Sequence, residues 1–118
     1  MKGLNKAILI GNLASQPELR MTKTGRPVLK MRLATVESFA DAQGTERERT
    51  AWHTVVVWGP RGEALARILK RGSRVGVEGR ITYNQWEDRD GKPRTDVEIV
   101  AVELLLLGSD DSADTQAA

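Results

Sequence analysis

Two indoles stand six residues apart in the run Thr50-Ala51-Trp52-His53-Thr54-Val55-Val56-Val57-Trp58-Gly59. The run is rich in β-branched and aromatic residues and closes at Gly59-Pro60, so it reads as a strand. Strand side chains alternate, which puts Trp52, Thr54, Val56 and Trp58 on one face and His53, Val55 and Val57 on the other. At ~3.3 Å per residue the indoles lie roughly 20 Å apart. That is too far for both to grip one small ligand and suits a long one. Indole faces offer stacking and cation–π attraction, although on this stretch alone two large apolar side chains could equally fill a core. His53, the single histidine, has no serine, carboxylate pair or ligand cluster at a supporting spacing. It therefore reads as a buried or subunit-interface residue rather than a catalytic base.

Composition narrows the classes. The 118 residues are 40% hydrophobic and 29% charged, enough for one domain with a modest core. The absence of cysteine excludes a disulfide framework, a thiolate metal site and a cysteine nucleophile. No apolar run has the length of a secretory h-region or a membrane span, so a cytoplasmic protein is expected. Net charge is +2, but Asp110, Asp111 and Asp114 fall in the last nine residues, and 18 bases then face 13 acids in the remainder. A mildly basic body with an acidic tail is compatible with a polyanionic partner.

The elements that must position the tryptophans follow from periodicity. Leu4 to Leu13 reads as a first strand with Lys6, Ile8 and Ile10 on one face and Ala7, Leu9 and Gly11 on the other; two apolar faces predict packing against a second copy. Pro27 to Val36 alternates with Leu29, Met31 and Leu33 inward and Lys30 and Arg32 outward. Glu37 to Thr50 is polar and reads as a long loop opened by Phe39. The tryptophan strand, Ala51 to Trp58, comes third. The one good helix pattern is Glu63 to Lys70, with Ala64, Leu65, Ile68 and Leu69 as its apolar stripe. Val75 to Trp86 is the fourth strand, with Val75, Val77, Gly79, Ile81 and Tyr83 inward, Trp86 outward, and Gly76 and Gly79 permitting a sharp bend. Asp88-Arg89-Asp90-Gly91 is a turn into the fifth strand, Arg94 to Leu107. The tail, 108–118, is expected to be acidic and disordered. Three strands, a helix and two strands predict an all-β fold, the five-stranded Greek-key OB-fold barrel with one short helix between strands 3 and 4, occupying residues 1–107.

On that fold Phe39, Trp52, Trp58 and Trp86 would share one outer surface, while Leu, Val, Ile and Met fill the interior. Lys30, Arg32, Arg47, Arg49, Arg71, Arg74 and Arg80, with Lys2 and Lys6 near the N-terminus, supply cations. Exposed bases stack on aromatic rings and phosphates run between cations, so the constellation predicts sequence-tolerant, salt-dependent binding of single-stranded nucleic acid. Arg47 and Arg49 alternate with Glu46 and Glu48, and a merely solvated segment explains them as well. No cofactor is expected. Asp88, Asp90 and Gly91 lack the further ligands of a metal loop.

Several segments in order, Asn5-Lys6-Ala7-Ile8-Leu9-Ile10-Gly11-Asn12-Leu13, Pro17-Glu18-Leu19-Arg20, Leu33-Ala34-Thr35, Thr50 to Gly59 and Lys70-Arg71-Gly72-Ser73-Arg74-Val75, resemble the bacterial single-stranded DNA-binding protein family. The resemblance implies a homotetramer of OB-folds, without enzymatic activity, that holds single-stranded DNA in replication, recombination and repair. It also implies stacking at Phe39, Trp52, Trp58 and Trp86. This sequence departs from the family pattern in having Thr82, Asn84 and Gln85 before Trp86, where basic residues are common, and Phe39 where a tryptophan is common. It also lacks the acidic Pro-Phe ending through which the family recruits replication and repair proteins. The competing reading is an OB-fold module for protein interaction, such as a primosomal accessory.

Overall fold

The alternating pattern resolves into β1 (Ala7–Leu13), β2 (Glu18–Met21), β3 (Pro27–Ala40), β4 (Glu46–Trp58), α1 (Pro60–Ala66), β5 (Ser73–Glu87) and β6 (Pro93–Ser109), in a computed structural model that describes residues 1–109. β1 pairs with β5, β5 with β6, β6 in parallel with β4, β4 with β3, and β3 returns to β1. Five strands thus close the expected barrel. β2 is an addition to the sequence reading, four residues paired with β3 from Glu18↔Lys30 to Met21↔Pro27. All four of its residues are exposed, and its alternation, Glu18-Leu19-Arg20-Met21, is only four residues long, too short a run to stand out as a strand. β6 continues to Ser109, two residues past the expected boundary; the remainder of the acidic-tail reading, 110–118, lies outside the described residues.

The interior is aliphatic. Leu13, Leu29, Met31, Leu33, Val55, Val57, Leu69, Val75, Val77 and Ile99 form one buried cluster, with Ala7, Leu9, Leu65, Ala66, Ala101 and Leu104 packed against it. These residues come from β1, β3, β4, β5, β6 and the segment around α1, so each long strand contributes its inward face. α1 begins three residues before the expected start and ends four before the expected end. Pro60 supplies the helix-ready φ at its first turn, and Gly62 lies against Leu29 and Val57, where a Cβ would come within 2.7 Å of the Val57 carbonyl oxygen. The expected stripe divides accordingly: Leu69 is buried and Leu65 half-buried, while Ala64 and Ile68 face solvent.

Two glycines permit the closure. A Cβ on Gly11 would collide with the carbonyl oxygen of Ala34 at the β1–β3 seam, and one on Gly79 with that of Val100. Gly79 also sits where the β5–β6 register slips, between Glu78 and Gly79, so the expected bend is a bulge there. Gly76 is different, since its Cβ would meet only side-chain atoms at 3.6 Å or more.

The stretch read as a long loop is a hairpin arm. β3 and β4 stay in unbroken register from Val28↔Trp58 to Ala40↔Glu46, and only Asp41 to Thr45 turn. Polar residues on both faces hid the strands, because past the barrel neither face has a core to cover. Three hairpin tips share one geometry. At Thr22–Arg26, Asp41–Thr45 and Asp88–Lys92 the first residue donates its backbone amide to the carbonyl of the fifth and accepts at its own carbonyl from the amide of a left-handed glycine at the fourth. Asp41 Oδ1 accepts from the Gln43 and Thr45 amides and Oδ2 from Arg47 Nε at 2.7 Å. Asp88 repeats this with Asp90, Lys92 and Arg94. At the third tip the Thr22 hydroxyl accepts from the Arg26 amide.

Two outcomes follow from this architecture. Gly79→Ala should cost about 1–3 kcal/mol through the backbone collision, while Gly76→Ala stays within about 1 kcal/mol; urea unfolding of both at one protein concentration checks it, and equal losses would contradict the close approach of Gly79 to Val100. Hydrogen bonding holds the Asp41 carboxyl below the ordinary value, chiefly through Arg47, and that of Asp88, chiefly through the Lys92 amide. A carboxyl lowered in the folded state adds stability that is complete above the unfolded pKa of ~3.9 and is lost as pH falls through the lower folded value. Amide resonances of Gln43, Thr45, Asp90 and Lys92 should therefore move below about pH 4 while that of Arg26, bonded to a threonine, does not.

Candidate nucleic-acid interface

Register assembles the outer face of the barrel row by row. Lys30 pairs with Val56, Val56 with Val100 and Val100 with Arg80; in the next row Arg32, Thr54, Glu98 and Thr82 align across the same strands. Trp58 lies beyond the first row and Trp52 beyond the second, as two-residue steps along β4 require. Trp86 is two residues past Asn84 on the outward side of β5, and Asn84 Nδ2 donates to Glu98 Oε1 at 2.9 Å in the second row. All three indoles thus belong to one continuous outer face. Trp52 is 56% exposed, Trp58 38% and Trp86 48%, so the core-filling alternative does not hold for them. Val56, between the two β4 indoles, is buried without belonging to the core cluster, so the first row has an apolar floor at Val56 and Val100 while Thr54, Glu98 and Thr82 keep the second polar. An open groove of about 480 Å³ runs between Lys30, Arg32 and Trp52 on one side and Thr95 to Ile99 on the other.

Phe39 is not on that face. With no bulge along β3, strict alternation from Leu33 puts it on the side that is core within the barrel and open along the arm. There it is half-buried, and Arg49 lies over its ring at 4.4 Å from the centroid. Tyr83, expected to point inward, meets the same fate on β5 and is 65% exposed, opposite Val97. The single aromatic surface expected from sequence therefore divides into an indole face and an arm cluster of Phe39, Arg47 and Arg49.

The cations are distributed in the same way. Lys30, Arg32 and Arg80 lie on the indole face. Lys6 and Arg74 flank the opposite part of the barrel, Lys6 3.8 Å from Glu78 and Arg74 donating to Asn12 Oδ1 at 2.9 Å. Arg71 sits in the turn before β5 and Lys2 in the exposed N-terminal segment. Arg47 is held by Asp41 and Lys30 by Glu98 at 3.3 Å. Arg26 was missed in the sequence. It lies over the Trp58 ring, 4.8 Å from the centroid, delivered there by the unrecognised β2–β3 hairpin. The Thr22-Lys23-Thr24-Gly25 turn signal was the clue to it. Glu98 was missed as well, because an isolated glutamate in an alternating strand carries no mark. Among the described residues no group of three or more His, Cys, Asp or Glu is placed to hold a metal.

Exposed rings on one face, edged by guanidinium and ammonium groups, can stack planar bases and neutralise a phosphate chain. A profile of the single-strand binding protein family matches residues 4–107. The single-stranded DNA-binding protein 1 of Chlorobaculum tepidum is 41% identical over 112 residues, covering 94% of this chain and 69% of that protein. The single-stranded DNA-binding protein of Xanthomonas campestris is 39% identical over 107 residues, covering 91% and 62%. The chain thus spans about two thirds of the length of these relatives. Among solved structures, the Plasmodium falciparum SSB complex with ssDNA superposes with a TM-score of 0.84 at 29% identity, over 91% of this chain and 97% of that one. A deletion mutant of the single-stranded DNA-binding protein from Thermus aquaticus gives 0.81 at 35% identity, covering 92% and 52%. With its barrel, its outward indoles and a family match over residues 4–107, the chain belongs to the single-strand binding protein family.

Proposed function

We propose that this chain binds single-stranded DNA with little regard to sequence and so shields strands exposed in replication, recombination and repair, in the cytoplasm at the nucleoid. The observation that carries the reading is the exposure of three indoles on one outer face of a barrel whose buried cluster holds no aromatic residue. Every base has a π-face, so stacking on Trp52, Trp58 and Trp86 fixes the strand without reading it. Lys30, Arg32 and Arg80 serve the phosphates along the same face, and a strand that turns round the edge of the β3–β4 arm gains Phe39 and Arg49. The action is binding rather than turnover.

Self-association completes the reading. Ile8 and Ile10 are 68% and 55% exposed, and with Gly76, Leu105 and Leu107 they line an apolar groove of about 310 Å³ on the outer side of β1, β5 and β6. An apolar patch of this kind favours burial against an identical one. We take the assembly to be a homotetramer.

Titrating poly(dT) should quench the tryptophan fluorescence strongly at low salt, and log affinity should fall by about 0.7 per decade of salt for each phosphate neutralised. Trp52→Ala should weaken binding by ~1–3 kcal/mol with an unchanged melting curve; an absent quench or a flat salt response would sink the reading. Sedimentation should give a mass above the monomer for the wild type and a smaller one for Ile8→Glu. A monomeric wild type would refute self-association.

A further inference from the structure

The indole face contains a carboxylate whose position works against a polyanion. Glu98 is central in its row. Its Oε2 lies 3.3 Å from Lys30 Nζ and its Oε1 accepts from Asn84 Nδ2 at 2.9 Å. Its own backbone carbonyl accepts from the Thr82 hydroxyl at 3.2 Å. The carboxylate, on β6, therefore reaches across β4 to Lys30 on β3 and back to Asn84 on β5, in the lining of the groove that Trp52 also walls. Its side chain is only 17% exposed, against 63% and 42% for Glu18 and Glu78 in the pairs with Arg20 and Lys6. An exposed pair yields readily to a competing anion because water screens it. Here the carboxylate is covered while Lys30 stays 50% exposed, so the pair is screened less from one side only and a phosphate can still reach the lysine.

We propose that Glu98 is a brake on DNA affinity: it occupies Lys30 in the groove, so that a phosphate must displace a carboxylate before it can use that lysine. This rests on the single-stranded DNA reading and goes beyond it by naming a residue that sets how tightly the face holds. Phosphate and carboxylate compete for one ammonium, and the strand is left easier to release. The nearby Asp96, which also lines the groove and has no cation partner among the described residues, adds repulsion.

Glu98→Gln tests this, because the glutamine keeps the oxygen that accepts from Asn84 while losing the charge that holds Lys30. Poly(dT) titrations from 0.05 to 1 M salt should show the salt slope steepened by about 0.7, equivalent to roughly fivefold tighter binding at 0.1 M salt for one phosphate gained. Lys30→Gln should cost about fivefold more affinity at that salt in the Glu98→Gln background than in the wild type, showing that the gain runs through the lysine rather than through loss of a negative charge alone. Glu98→Ala should move affinity in the same direction and keeps the test available if the glutamine variant melts early. Weaker binding by the Glu98 variants would overturn the proposal and make Glu98 a support for Lys30. A gain that persists without Lys30 would overturn it too. If the wild type fails to bind poly(dT), the functional reading itself falls; if it binds and Glu98→Gln matches it, only the brake does.

Discussion

Closure of the barrel is the constraint on which everything else depends. Three long ladders, β1–β5, β5–β6 and β3–β4, would leave two separate sheets; the ring is completed by two β1–β3 pairs, Asn12↔Ala34 and Leu13↔Leu33, and the three-residue parallel ladder of β4 with β6. Ladders so short cannot hold by hydrogen bonding alone, since each bond contributes only about 1 kcal/mol net. They hold because Leu13, Leu33, Val55 and Ile99, at or beside these seams, are buried together. Gly11 and Gly79 let the backbones meet close to them. A five-stranded interior is narrow and is already filled by aliphatic side chains, which leaves an indole nowhere to go but outward. The interface is in this sense a consequence of the core.

The arms extend that logic beyond the barrel. β3–β4 and β5–β6 continue as two-stranded ribbons, and a ribbon without a layer behind it has two wet faces. Phe39 and Tyr83 are inward by alternation yet exposed or half-exposed for that reason. With little burial to order them, the ribbons rely on their tips. The repeated geometry, with a left-handed glycine at the fourth position and a threonine or aspartate at the first, satisfies the turning backbone locally. In the two aspartate tips the same side chain also fixes an arginine of the outgoing strand, so ordering the turn and placing a cation are one event.

Electrostatically the outer surface is a mosaic. Lys6, Lys30, Arg20, Arg47 and Arg94 each face a carboxylate, and Arg26 and Arg49 lie over rings. Cations already engaged in this way are positioned, and their long side chains lose less freedom when a phosphate arrives. They also carry a cost, because each existing partner must be released. The net charge of +2 therefore says little about the interface, whose character comes from which pairs are covered and which are wet.

By itself the sequence determined the barrel, its order of strands, the aliphatic interior and the three outward tryptophans, because alternation is a local property and a filled core leaves the opposite face to solvent. The apolar pattern of Ile8 and Ile10 on the outer side of β1 was legible for the same reason. Only the tertiary structure decided the rest. β2 alternates over only four residues and the β3–β4 arm is polar on both faces, so periodicity did not announce them, and with β2 went the placement of Arg26 on Trp58. Phe39 and Tyr83 required knowing where the barrel ends. Glu98 and Lys30 are 68 positions apart in the chain, and their meeting depends on the register of three strands. A pattern records which way a side chain points, and closure decides what it meets there.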